Sequence, residues 1–170
     1  MQEIRLGRSE LKVSRIAFGT WQLGGDWGAT DEEAALAAIR RAAERGINFF
    51  DTAQGYGFGA SERLLAKALK DRPRDHVVIA TKGGLRPTAR GGVERDASPD
   101  WIRRGVDASL QALGTDYIDV YQIHWPFPEG SLRGNGRRIG RSEGRRQDSS
   151  RRSLQLRHGA DGGVQRDTAG

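Results

Sequence analysis

Four polar residues carry the chemistry this sequence could do: Asp51, Tyr56, Lys82 and His124. Asp51 closes the apolar run INFF, Lys82 closes VVIAT, and His124 closes IDVYQI, while Tyr56 lies shortly after Asp51. A phenol is a weak acid of pKa about 10, and a nearby ammonium favours its phenolate. A carboxylate beside that ammonium holds it charged and oriented. A neutral imidazole can hydrogen-bond a carbonyl oxygen and fix its pose. Together the four side chains suit the reduction of a carbonyl, in which a nicotinamide delivers a hydride to carbon and the phenol supplies a proton to oxygen.

Taken singly, each residue has a plainer reading. Asp51 could cap a turn, Tyr56 could be a surface aromatic in the glycine-rich stretch QGYGFGAS, Lys82 could end a buried strand, and His124 could be a structural histidine. Four such groups in one sequence order, at successive strand ends, outweigh those readings. Trp21 and Trp125 fit core and pocket wall equally well. Asp26, Trp27, Arg86 and Arg90 fall in loops on the same side, as solvated charges or substrate contacts.

The elements that must position these residues can be read in turn. Residues 3–14 suggest a hairpin, and 15–20 (RIAFGT) a first buried strand. Thr30 and Glu33 fit a capping box, followed by apolar residues at helical spacing up to a stop at Gly46. Residues 47–51 read as a second strand, 60–71 as a helix, and 77–82 as a third strand, apolar throughout like a parallel strand covered on both faces. Ser98-Pro99 opens another helix that Gly114 ends, and 118–124 is a fourth strand. Strands alternating with helices imply a parallel sheet. The first strand-to-helix loop has no G-x-G-x-x-G fingerprint, which argues against a doubly wound dinucleotide fold. Polar residues at the ends of strands two, three and four match a (β/α)8 barrel, whose sites lie at the C-terminal ends of its strands.

Composition narrows the alternatives. The chain has 170 residues, no cysteine and a net charge of +6. Residues 1–130 hold 18 basic and 18 acidic residues, so the excess charge lies wholly in 131–170, with ten Arg against four acids. The three histidines are far apart, and no metal site is expected. The charged N-terminus lacks a signal-peptide core and no apolar stretch reaches membrane-spanning length, so the expectation is a cytoplasmic protein without membrane contact.

The stretches GINFFDTAQGYGFGASERLL (46–65), VVIATK (77–82) and LGTDYIDVYQIHWP (113–126) resemble the aldo-keto reductase family. The resemblance covers residues 3–130, and the family's Asp-Tyr-Lys-His tetrad falls on Asp51, Tyr56, Lys82 and His124. It implies an oxidoreductase that reduces aldehydes or ketones with NADPH, NADH not being excluded. Tyr56 would be the acid, Lys82 its modulator, Asp51 the anchor of Lys82, and His124 the group that orients a small carbonyl substrate. It also implies that Gly19, Thr20 and Trp21, with Asp51, contact the cofactor; of the two readings open for Trp21 and Trp125, the substrate-pocket wall is the one adopted. The fold class implied is a (β/α)8 barrel, of which the chain holds roughly the first four βα units and an N-terminal hairpin.

Residues 131–170 depart from that pattern. They are rich in Arg and Gly, contain no Lys and show no apolar period, the composition of a disordered tail. A nucleic-acid arm is disfavoured, because the segment has no aromatic residue for stacking. The favoured expectation is a reading-frame change near Gly130. Permitted codons for 131–170, read one nucleotide later, can yield GKIRHVGVSNF, which resembles the family's fifth strand with its Ser-Asn pair. On that expectation the domains are 1–130, half of a barrel, and 131–170, a tail. The alternative to a working enzyme is then a truncated, inactive fragment that carries the tetrad. Oligomeric state is left open.

Overall fold

The computed structural model describes residues 1–25, 28 and 31–125, with the backbone of 157–158 and 164–165. The expectations for Asp26, Trp27, Thr30 and most of 131–170 lie outside the described residues.

The hairpin forms from β1 (Glu3–Arg5) and β2 (Lys12–Ser14), paired antiparallel with Glu3 opposite Ser14. Then come β3 (Phe18–Gly19), α1 (Glu32–Glu44), β4 (Phe49–Asp51), α2 (Ala60–Leu69) and β5 (Val78–Gly83). A second hairpin, β6 (Leu85–Pro87) with β7 (Val93–Arg95), precedes α3 (Pro99–Leu113) and β8 (Val120–Ile123). Near the C-terminus β9 (Arg157–His158) pairs antiparallel with β10 (Val164–Gln165), a ladder that the composition of this segment does not predict.

The central sheet has the order β3-β4-β5-β8, every pair parallel. Each strand therefore lies beside its predecessor, and successive crossovers step in one direction. A doubly wound sheet reverses direction partway and places helices on both faces, whereas a sheet that never reverses carries them on one face and curls toward a barrel. The helices pack in sequence, α1 on α2 and α2 on α3. Their shared core includes Ile39, Phe50, Leu65 and Ile118, each at most 1 % exposed. Side chains of this size contribute about 2 kcal/mol apiece when buried.

Local chemistry sets the helix ends. Asp31, rather than Thr30, occupies the N-cap of α1, its side chain accepting from Ala34 N at 3.1 Å. Both residues are good caps, and Glu32 and Glu33 in the first turn add negative charge where the helix dipole favours it. Ser98 caps α3 by accepting from Trp101 N, Pro99 enters at the first turn, and Gly114 (φ 62°) closes it. The β6–β7 hairpin has no counterpart in the sequence pattern, because Leu85 and Val93 are single apolar residues without the alternation that marks a strand. Among the described residues no helix is long and apolar enough to cross a membrane.

Candidate active site

Strand alternation decides which side chains meet. On β5, Ile79 joins the core beneath the helices, so Thr81 faces the helices and Lys82 faces the opposite, inner side of the sheet. On β4, Phe50 faces the helices and Asp51 faces inward. Asp51 pairs with Ala80 in the sheet, which brings the next inward residue of β5, Lys82, within reach. Lys82 Nζ donates to Asp51 Oδ2 at 2.7 Å and to the Thr52 carbonyl oxygen at 2.8 Å, and lies 3.5 Å from Tyr56 Oη. The last distance is at the outer limit of a hydrogen bond, and contacts of this kind commonly tighten when substrate is bound.

Tyr56 is delivered by a turn of unusual backbone. Gly57, Phe58 and Gly59 all have positive φ, at 63°, 44° and 95°. A Cβ on Gly57 would strike the Gly24 carbonyl oxygen at 2.2 Å, and one on Gly24 would come 2.7 Å from the Tyr56 carbonyl carbon. The short 3-10 turn Trp21–Gly24 and the Tyr56 loop thus touch backbone to backbone, which only glycine permits.

His124 follows β8, its backbone N donating to the Gly83 carbonyl at 2.9 Å. Its ring packs edge-on against Tyr56 with centroids 5.5 Å apart. Its Nδ1 is buried without a hydrogen-bond partner among the described residues, which leaves Nε2 as the nitrogen able to meet a substrate. Burial first, and then the Lys82 charge, hold the imidazole below its ordinary pKa, with Asp51 opposing. At neutral pH the ring is therefore neutral and can donate a hydrogen bond without carrying charge.

Two indole rings flank the set. Trp21, 52 % exposed, lies 6.3 Å from the Tyr56 ring at an interplanar angle of 27°. Trp125, 41 % exposed, stands 5.7 Å from His124, with the Arg95 guanidinium 5.3 Å from its ring centre. Gly19 sits opposite Asp51 in the sheet, and a Cβ there would meet nothing within 4 Å. That open space beside Asp51 and an exposed indole fits a flat heteroaromatic ring, so Gly19, Trp21 and Asp51 are the residues present that would hold a nicotinamide. Thr20 is placed elsewhere. It is wholly buried, with Oγ1 3.2 Å from the Asp51 carbonyl oxygen and 2.7 Å from Ser61 Oγ, on the helix side of the sheet.

Other loop residues resolve simply. Arg86 pairs with Glu94 and lies 3.6 Å from Asp96, while Arg90 is exposed in the hairpin turn. Among the described residues no group of three or more His, Cys, Asp or Glu could hold a metal ion. Sequence reasoning missed Glu62, fully buried on α2. Its signal is an acid at core spacing with Leu65 and Leu69.

Comparison with known proteins points one way. The family model described as the Aldo/keto reductase family matches residues 15–139. Aldo-keto reductase YhdN of Bacillus subtilis (strain 168) is 43 % identical over 130 residues, covering 75 % of this chain and 39 % of that protein. The NADH-specific methylglyoxal reductase of Escherichia coli is 42 % identical, over 74 % of this chain and 42 % of its own length. Among solved structures, an aldo-keto reductase from Bacillus halodurans in its holo form superposes with a TM-score of 0.70 at 38 % identity, over 78 % of this chain and 43 % of that one. An aldo-keto reductase from Klebsiella pneumoniae in complex with NADPH gives 0.56 at 30 % identity, over 69 % and 37 %. The chain thus spans about two fifths of the length of these relatives.

Proposed function

Since the chain belongs to the aldo/keto reductase family and has the partial (β/α)8 fold of its relatives, we propose that residues 1–125 form the carbonyl-reducing centre of a nicotinamide-dependent oxidoreductase. Its substrates are small aldehydes or ketones, reduced to alcohols. The observation that carries this reading is the placement of Lys82 Nζ between Asp51 and Tyr56.

Each residue then has a defined task. Asp51 and the Thr52 carbonyl fix the ammonium of Lys82 by two short hydrogen bonds. The fixed charge stabilises the phenolate that Tyr56 leaves behind when its proton passes to the substrate oxygen. His124, neutral and packed on Tyr56, donates to the same oxygen and sets the angle at which the carbonyl enters. Trp21 and Trp125 wall the mouth and keep water from the reacting carbon. A reduced nicotinamide, when bound, supplies the hydride.

The reductant we assign is NADPH, with NADH as the alternative, since one relative is named NADH-specific and one structural neighbour holds NADPH. Purified chain is mixed with either cofactor and 4-nitrobenzaldehyde, and loss of cofactor absorbance is followed. The expected result is oxidation that depends on Tyr56, faster with NADPH. A rate no higher than that of Tyr56→Phe would refute the proposal for this chain. Titration of tryptophan fluorescence separates failure of chemistry from failure of binding. Saturable quenching, with Trp21 as the reporter, would mean that the cofactor binds and that the fault lies in the tetrad.

A further inference from the structure

A row of three threonines lies directly behind the tetrad. Thr20 follows β3, Thr52 follows β4, and Thr81 lies near the end of β5, and all three are wholly buried. Each faces the helices, and each is the immediate neighbour of a residue at the mouth: Trp21, Asp51 and Lys82 respectively. All three are held by two consecutive residues in the first turn of α2. Ser61 Oγ is 2.7 Å from Thr20 Oγ1, 2.9 Å from the Thr20 carbonyl oxygen and 3.2 Å from Thr52 Oγ1. Thr81 Oγ1 donates to Glu62 Oε1 at 2.7 Å.

We propose that Ser61 and Glu62 are positioning residues that set the relative height of three strand ends, and with it the Asp51–Lys82–Tyr56 geometry. The inference rests on the reading of those three residues and His124 as the reacting set. The physical argument is one of leverage. Neighbouring residues on a strand point to opposite faces, so a side-chain bond at Thr52 or Thr81 fixes the inward side chain next to it. Short parallel strands of two or three residues, such as β3 and β4, have few ladder bonds with which to hold register themselves. Tyr56 lies one tight turn before the same helix, and its carbonyl oxygen accepts from Ser61 N at 3.3 Å. One helical turn therefore touches the segments that carry Trp21, Asp51, Lys82 and Tyr56.

Glu62 suits this role because it need not be charged. Burial pushes its carboxyl above the ordinary value, against the hydrogen bond from Thr81. A neutral amide of the same shape should therefore replace it, whereas an alkyl group should not.

The test uses the imidazole of His124 as a gauge of where the Lys82 charge sits. His124 is faced by Lys82, Asp51 and Tyr56, and Lys82 depresses its titration. The whole chain is titrated by NMR of its three histidines, with thermal unfolding measured alongside. Lys82→Met is the control and should move the His124 midpoint upward. Glu62→Ala, Ser61→Ala and Thr81→Val should also move it upward, and Glu62→Gln should leave it where it is. If Glu62→Ala fails to fold, Thr81→Val and Ser61→Ala decide the matter, each removing a single hydroxyl. Folded variants with a lower melting temperature and an unmoved His124 would overturn the inference and leave the tetrad reading intact. A His124 that ignores Lys82→Met would overturn the tetrad reading, and this inference with it.

Discussion

Two half-buried ion pairs stand at opposite ends of one four-stranded sheet, and they differ in what they leave unsatisfied. Where β5 and β8 begin, Arg74 donates to Asp119 at 2.7 Å, to the Val77 and Tyr117 carbonyls and to Thr115, and lies 4.0 Å from the centre of the Tyr117 ring. Asp119 also accepts from Ile79 N with the same oxygen. The guanidinium makes four hydrogen bonds, all of them to groups of its own loop and the adjoining strand ends. Where β4 and β5 end, Lys82 binds Asp51 equally tightly but points its remaining capacity at a phenol 3.5 Å away, beneath two exposed indoles. Both pairs have similar length and partial burial. The first pins a loop to a strand, while the second keeps a charge beside an open mouth.

The largest effect that tests this contrast is on catalysis. Tyr56→Phe should lower kcat/KM by about a hundredfold to ten-thousandfold, with the melting temperature unchanged. Turnover at the wild-type rate would erase the functional half of the comparison. On the other side, Arg74→Ala should cost about 3 kcal/mol in denaturant unfolding, because it strands Asp119 and three further acceptors. A loss below about 1 kcal/mol would show that the two pairs are not distinguished by saturation. Gly57→Ala probes the approach between loops. It should cost about 1–3 kcal/mol through the left-handed backbone and the clash with Gly24, and it should depress kcat by displacing Tyr56. Equal stability together with equal kcat would contradict the close packing of the two turns.

The smallest effects concern pH, and their signs are opposite. His124 titrates below its ordinary value of 6.5 in the folded state, chiefly through burial. The unfolded chain then binds more protons in the interval between the lowered and the ordinary values. The stability due to the neutral ring is complete above 6.5 and is lost as pH falls through the lowered value. His124→Gln should flatten that slope in melting temperature. Glu62 is raised above its ordinary 4.5, again by burial. Its contribution is complete below 4.5 and is lost as pH climbs through the raised value. Glu62→Gln should therefore gain stability over wild type on the alkaline side, and a variant that loses stability there would mean that the fold favours the charged carboxylate instead of penalising it.

Much of this protein was legible because the signals were local. Ser98-Pro99 and Gly114 mark both ends of α3, the unbroken run VVIAT marks a strand covered on both faces, and polar residues closing successive apolar runs mark the mouth of a barrel. Asp51, Tyr56, Lys82 and His124 could be singled out because each ends or follows such a run. Tertiary structure alone decided the rest, since it depends on residues far apart in the chain. Thr20 reads as part of a pocket but turns to Ser61, because strand alternation is settled by which neighbour is buried. Glu62 shares the apolar spacing of Leu65 and Leu69, but an acid is accepted in that core only because its partner Thr81 comes from another strand. Nothing local to Gly24 or Gly57 shows that the two meet, yet each is required by the backbone of the other's loop. Composition and periodicity report what one segment prefers, whereas the height of one strand end against the next is set only when a helix packs across them.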